Sequence, residues 1–566
     1  MVVPASGRGG PEPKKALLKI RPPAVFHRPG RLDALRVVAH LAAWLPFVLG
    51  PARLIRHGWR PVGDEAAIAL RSWNSLTAHG PLVGQATRLA HGVFDPGPLE
   101  YWLLAIPVHL DTVHGVLWGA IICCLVACSL AVEAAWSVLG AAGGLCASGL
   151  IVGLVLWMPG IGVTPSWNPW FGLVFFIAAL ASAWAVMSGH RGWWPALVIS
   201  ASIAAQCHLM FTVPSGALAI LALVVGLVDT ARGRAGYRWV LAGLIAGVAC
   251  WSAPLIQQFT SKDGNLGLLL HSTGATSGTR TGGAFSLKAL SAATEPVPIW
   301  WKSSLQPSAI YHLIGQRPAW FAVGVLVLLA VAAVMAVRPL HCRPLGALAV
   351  VSLVISLGSL VTYSGIPVHN TSLRTLGYLV VLLFPVGVLS WLAVGAWAVL
   401  TARLIARELT SARPAAEPAA EPAAPAARPL RGALSLAGLA ATALVAVGAI
   451  LAVSLQGPTV RQVTSDPTMA TSWAASRQIA RALPGQPIAL SIHDFNASDL
   501  GRLTLGVTWA LTPDGFRAEI MRTRLARELG SRYVFRGDAI PLVKVRVRRH
   551  GISVAVRRPA RLASGP

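Results

Sequence analysis

The sequence predicts a mainly α, polytopic helical bundle in a membrane, with a small α/β domain at its C-terminal end. Three observations predict it. Apolar residues make up 55% of the 566-residue chain and charged residues 12%, with a mean hydropathy of +0.62. A soluble fold this poor in charge could not cover its surface, whereas lipid asks for no such cover. Apolar stretches of about 20 residues, enough to cross the hydrocarbon layer, recur along the chain. Arginines gather in alternate loops between these stretches, the bias expected of cytoplasmic connections.

Residues 1–36 form a basic tail, with Arg8, Lys14, Lys15, Lys19, Arg21, Arg28, Arg31 and Arg36 set against Glu12 and Asp33. The apolar run after it is long and no small-residue cleavage site follows, so the tail reads as cytoplasmic rather than as a signal peptide. Eleven spans follow, near 37–56, 114–135, 138–158, 168–187, 195–208, 210–228, 239–257, 319–337, 344–363, 374–400 and 432–455. The pair around residue 208 is the least regular, because one half is short. Arg191, then Arg232, Arg234 and Arg238, then Arg338 and Arg343, then Arg403, Arg407, Arg413, Arg428 and Arg431 fall in alternate loops. The short loops between them (159–167, 206–211 and 364–373) carry no Lys or Arg. The expected topology is a multi-pass plasma-membrane protein with the N-terminus cytoplasmic and the C-terminal domain extracytoplasmic.

Within that frame, residues 37–400 form the main transmembrane module and 401–431 a cytoplasmic Ala/Pro-rich linker. The last span, 432–455, leads to an outer domain at 456–566. Alternation at Val543–Val547 and Ile552–Val556 predicts strands there, and a helix is expected near 514–529. The net charge of +26 would suggest nucleic acid in a soluble protein. Here much of it borders apolar spans, so anionic headgroups are the expected partner and nucleic acid is not. Of seven cysteines, six (Cys123, Cys124, Cys128, Cys146, Cys207 and Cys250) lie in apolar spans without metal-ligand spacing, and Cys342 sits in a short basic loop. They read as small packing residues, with no disulfide framework.

With sidedness assigned, the polar residues fall mostly on the outer face. The first outer loop carries Gly63-Asp64-Glu65, Arg71, Trp73, Asn74 and the run Asp95-Pro96-Gly97-Pro98-Leu99-Glu100-Tyr101-Trp102. Segment 98–110 is apolar but too short to span, so it is placed flat in the interface. Further outer groups are Trp167-Asn168-Pro169, Gln206 and His208, Gln257 and Gln258, Lys262 to Leu266, Trp300-Trp301-Lys302, and His369-Asn370 with Arg374 entering the next span. Asp64-Glu65 is the only adjacent acidic pair in the chain. Its plain reading is a helix cap. Polar groups converging on one face describe a site. A transporter would place them near the midplane.

The order of these motifs resembles the GT-C glycosyltransferases that use polyprenyl-phosphate sugars, with the protein-mannosyltransferase-like and RgtA/B/C/D-like subgroups nearest. The likeness is carried by Asp64-Glu65 after the first span and by Pro96-Gly97-Pro98-Leu99-Glu100-Tyr101-Trp102. Trp167-Asn168-Pro169, Gln206-Cys207-His208, Trp251 with Pro254-Leu255-Ile256 and Gln258, Gly264-Asn265-Leu266, and Arg374 with Tyr378 and Pro385 add to it. It covers roughly 37–400. Many family members place a His before the Pro-Gly-Pro, where this chain has Asp95. The C-terminal domain matches nothing recognised.

The resemblance implies an inverting transfer of sugar from a polyprenyl monophosphate to a cell-envelope glycan, lipid or protein hydroxyl. The Ala-, Arg- and Pro-rich composition suggests an actinobacterial source, for which the carrier is expected to be decaprenyl phosphate. Asp64 would be the general base and Glu65 its support. Arg374, with Lys262 and Lys302, would neutralise the departing phosphate. Trp167, Asn168, His208, Gln258, Asn265 and Tyr101 are the candidate substrate contacts. A divalent cation is a candidate cofactor and would take oxygen ligands such as Asp64, Glu65 and Asn168, but no ligand spacing is diagnostic. The competing classes are a lipid or polysaccharide transporter and a catalytically inactive scaffold for envelope assembly.

Overall fold

A computed structural model describes residues 29–87, 92–233, 237–274, 280–301, 307–338, 340–368, 377–411, 427–483, 487–493, 500–521, 523–536, 540–548 and 551–558. The first half comprises α1 (Pro29–Arg56), α2 (Asp64–Asn74), α3 (Leu99–Leu110), α4 (Gly115–Leu139), α5 (Ala141–Trp157), α6 (Pro159–Val163), α7 (Asn168–Ser188), α8 (Trp194–Cys207) and α9 (Thr212–Ala231). It continues with α10 (Arg238–Thr260), α11 (Asn265–Gly274), α12 (Gly282–Thr294), α13 (Pro307–Gly315), α14 (Trp320–Val337), α15 (Arg343–Ser364), α16 (Leu383–Ser411) and α17 (Ala427–Thr464).

Each of the eleven expected spans is a helix. Among the described residues, nine helices are long and apolar enough to cross a membrane. The other two, α5 with 17 residues and α8 with 14, are shorter. The tenth span starts later than expected, after a 3₁₀ turn at Gly377–Val380. Helix α7 is apolar on every side and packs against both α4 and α8, so it lies at the centre of the bundle. Helix α17 packs along α1 and α5 but leaves most of its surface open to lipid. Gly140, at φ 59°, lets the chain reverse between α4 and α5 in a conformation that L side chains resist.

The two ends of the bundle differ chemically. At one end Glu133 accepts from Arg36 and His40, and Asp229 pairs with Arg191 and Arg343. These are the basic loops that the sequence assigns to one side. At the opposite end the expected outer loops meet one another, with α2 and α3 packed together beneath them. Helix α3 buries Glu100, Tyr101, Leu104, Ala105 and Val108 and exposes Trp102, Leu103, Ile106 and Leu110. That exposed apolar face suits a helix lying in the membrane interface.

Past α17 the chain forms α18 (Pro467–Ala482), β1 (Ile488–His493), α19 (Leu500–Leu511), β2 (Ala518–Ile520), α20 (Thr523–Leu529), β3 (Leu542–Arg548) and β4 (Gly551–Arg557). The sheet order is β2-β1-β3-β4, with β1 parallel to both neighbours and β3 antiparallel to β4. Helices α18 and α19 pack together, and a separate core of Ile479, Ile488, Leu490, Val507, Leu511, Val543 and Val545 fills the space between helices and sheet. Both expected strands are found. The helix expected near 514–529 is corrected: among the described residues of that range only 523–529 are helical, because residues 518–520 extend to pair with β1 at the sheet edge.

Candidate active site

The site begins at a backbone reversal. After α1, Gly63 stands at φ 58° and ψ −131°, which turns the chain into α2. Asp64 and Glu65 are the first two residues of that helix, where its positive end favours carboxylates. The cap residue is Gly63, and no side chain caps the helix, so Asp64 is not a helix cap. The rest of α2 is largely buried, which fixes its direction, while Asp64 itself is exposed.

Both Asp64 oxygens receive N–H donors from other segments. Gln85 Nε2 donates to Oδ1 at 3.2 Å, and Trp167 Nε1 donates to Oδ2 at 2.9 Å. These two bonds set the plane of the carboxylate. Its neighbour Glu65 is half-buried; burial first, and then the Asp64 charge, push its carboxyl up to about 7. The pair thus differs in environment, one exposed acceptor beside one group that holds its proton near neutrality.

Gln85 is delivered by a short ladder. Thr87 N–H donates to Val93 at 2.8 Å and Asp95 N–H to Gln85 at 2.7 Å, around an antiparallel bridge between Ala86 and Phe94. Asn265 closes this ladder from outside, accepting from Phe94 N–H at 2.9 Å and donating to its carbonyl at 3.0 Å. Arg71, buried beneath, donates to the carbonyls of Val83 and Gly84 and lies 5.3 Å from the centre of the Tyr101 ring. Asp95, buried, accepts from Leu209 N–H at 3.1 Å, and burial holds its carboxyl well above the usual range.

Trp167 opens α7 and stands edge-on to Tyr378 at 4.8 Å and to Trp170 at 5.0 Å. Tyr378 in turn meets His208 edge-on at 5.6 Å. His208 Nδ1 accepts from Met210 N–H at 3.2 Å, so the neutral ring carries its proton on Nε2. An aromatic row of His208, Tyr378 and Trp167 therefore leads to Asp64.

Of the residues expected from sequence, Asp64, Glu65, Trp167 and His208 come together in this way. Four others have structural partners. Asn168 donates its amide to the Cys207 carbonyl at 2.9 Å, Gln258 accepts from Gly267 N–H at 3.0 Å, Asn265 holds the ladder, and Tyr101 is buried under Arg71. Lys262 is exposed in the turn after α10. Arg374 and Lys302 lie outside the described residues. Among the described residues no three His, Cys, Asp or Glu side chains gather as a metal-holding group.

Sequence reasoning missed Gln85, and it missed the charged pair of Arg502 and Asp466 that the C-terminal unit brings beside Gly63. No spacing or composition marks either. Gln85 reaches the site through the ladder, and Arg502 comes from a segment more than 400 residues away in the chain.

No family model and no curated protein matches the sequence. Solved structures do match. ArnT from Cupriavidus metallidurans in the apo state aligns with a TM-score of 0.50 at 16% identity, over 92% of this chain and 93% of that one. ArnT from the same organism bound to undecaprenyl phosphate aligns with a TM-score of 0.49 at 16% identity, over 95% of this chain and 100% of that one. At this identity the likeness is one of fold. The chain has an ArnT-like polytopic helical fold.

Proposed function

We propose that this protein is an integral-membrane glycosyltransferase of the inverting kind, moving a sugar from a polyprenyl-phosphate donor to a hydroxyl of a cell-envelope glycan, lipid or protein. The observation that carries the reading is the Asp64 carboxylate, exposed where the loops converge and oriented by Gln85 and Trp167. A general base needs this combination of access and fixed direction. The end of the bundle that holds it is taken to face outward, because the arginine-rich loops lie at the other end.

In a single displacement, Asp64 takes the acceptor hydroxyl's proton as that oxygen bonds to the anomeric carbon. The bond from this carbon to the phosphate oxygen breaks, its electron pair stays on oxygen, and polyprenyl phosphate departs. The sugar meets the aromatic row of Trp167, Tyr378 and His208. Arg374, Lys262 and Lys302 are the proposed cations for the leaving phosphate. A divalent cation, if this protein uses one, would take oxygen ligands such as Asp64, Glu65 and Asn168. Decaprenyl phosphate is the proposed carrier.

The placement of charge supports an enzyme over a transporter. Among the described residues, the ion pairs at the spans, Arg36 with Glu133 and Asp229 with Arg191 and Arg343, sit at the end opposite Asp64 rather than along a path through the bundle. The test uses the purified protein in nanodiscs with a panel of labelled decaprenyl-phosphate sugars and envelope-fraction acceptors. Transfer from one donor is expected. Movement of lipid between leaflets with no transfer from any donor would overturn the reading.

A further inference from the structure

We infer that the C-terminal α/β unit belongs to the catalytic machinery: it grips α2 at both ends, and Arg502 is a positioning residue for the base Asp64. This rests on the function proposed above.

The grip at the start of α2 is close. Gly63 N–H points to the Arg502 carbonyl at 3.4 Å. The Arg502 side chain lies over Gly63, so that a Cβ there would stand 3.2 Å from Nε and 3.3 Å from Cγ. Arg502 is in turn paired with Asp466, whose other oxygen accepts from Thr468 N–H at 2.9 Å at the start of α18. The residue before Asp64 is therefore pinned between its own positive-φ turn and a guanidinium that α18 holds in place. Glu65 lies within reach of the charges of both Arg502 and Asp466. Just upstream, the Arg60 guanidinium sits 4.8 Å from the centre of the Trp473 ring.

The far end of α2 is held by a buried network. Asn74 donates to the Tyr533 hydroxyl at 2.9 Å and accepts from Arg532 at 3.1 Å, while Arg71 donates to the Glu528 carbonyl. Trp73 meets Trp509 edge-on at 6.1 Å. Arg71, Asn74, Tyr533 and Trp509 are all buried. Losing one of these partners while the interface stays closed would strand Arg71 or Asn74, and buried polar groups are costly to leave unpaired. A domain tethered only to bind glycan would meet α2 through a wet, replaceable rim. Here the helix that presents the base is built jointly by the two parts of the chain, and a shift of about 1 Å in a catalytic group is enough to cost about a hundredfold in rate.

The full-length protein in nanodiscs tests this with Arg502→Gln, Arg502→Lys and the near-isosteric Tyr533→Phe. Two readouts are needed: steady-state transfer, and amide hydrogen exchange of residues 63–74. Arg502→Gln is expected to lower kcat about tenfold with donor KM within about twofold, to speed exchange in the first turn of α2, and to be largely rescued by Arg502→Lys. Tyr533→Phe is expected to speed exchange at the far end of α2. A fall in kcat with α2 exchange unchanged, or a rise in KM with kcat intact, would overturn the positioning role. Unchanged exchange in both Arg502→Gln and Tyr533→Phe would overturn the grip itself. Absence of sugar transfer in the wild type would instead sink the proposed function, and the exchange data would still decide whether the unit holds α2.

Discussion

Trp167 Nε1 donates to Asp64 Oδ2 at 2.9 Å, joining the first residue of one helix to the residue that opens another 103 positions later. The bond aims the carboxylate, and the same indole stands in the aromatic row proposed to meet the sugar. One side chain thus serves the base and the substrate wall together.

Trp167→Phe keeps an aromatic ring, smaller than the indole, and removes the N–H. A shift of about 1 Å in a catalytic group can cost about a hundredfold in rate, so kcat is expected to fall tenfold or more as the carboxylate loses its aim, while the melting temperature changes little because Asp64 is exposed. Steady-state transfer and thermal unfolding in parallel check both halves. Loss of donor binding with kcat unchanged would mean that the ring, and not its N–H, is what matters.

Asn265→Ala removes two hydrogen bonds to Phe94 and so loosens the ladder that delivers Gln85. Asn265 bonds to the Phe94 backbone and not to the carboxylates, yet the variant is expected to resemble Gln85→Ala in kcat. The double variant should then be no worse than either single one. Additive losses would separate Asn265 from the base.

Glu65 gives a stability signature with a definite sign. Its folded-state value of about 7 lies above the ordinary 4.5. The folded state therefore holds a proton that the unfolded chain releases, and this contribution is complete below 4.5 and lost as pH rises through about 7. Glu65→Gln removes it. Melting curves of the two proteins are expected to converge at low pH and to diverge above neutrality, where the variant becomes relatively more stable. Parallel curves across that window would show that Glu65 titrates normally.

Asp229 sits at the other end of the bundle, with Arg191 and Asp229 side chains each only 9% exposed. Asp229→Ala leaves the Arg191 charge without its carboxylate, and breaking such a pair costs about 3–5 kcal/mol. Stability should fall by that amount, while kcat per folded molecule stays the same. An equal loss of kcat would tie this end to the reaction.

The bundle was legible because lipid enforces apolar length, so α1, α4, α7, α9, α10 and the later spans announce themselves. Asp64-Glu65 was legible for a similar reason: adjacent carboxylates are rare in so apolar a chain. The remainder of the site depends on long-range closure. Gln85 reaches Asp64 only because Asn265, 171 residues away from Phe94, clamps its ladder. Gln258 and Asn168 carry the polarity expected of substrate contacts, yet they spend it on backbone groups, and residue type alone cannot separate the two uses. In the C-terminal unit the strand at Ala518–Ile520 is too short for periodicity to reveal, which is why a single helix was expected through it.

The most direct test of the account is Asp64→Asn, measured for sugar transfer and for donor binding in the same nanodisc preparation. The account predicts a loss of about 10²–10⁴-fold in transfer, the usual worth of a general base, with donor affinity retained. Transfer at the wild-type rate would contradict it.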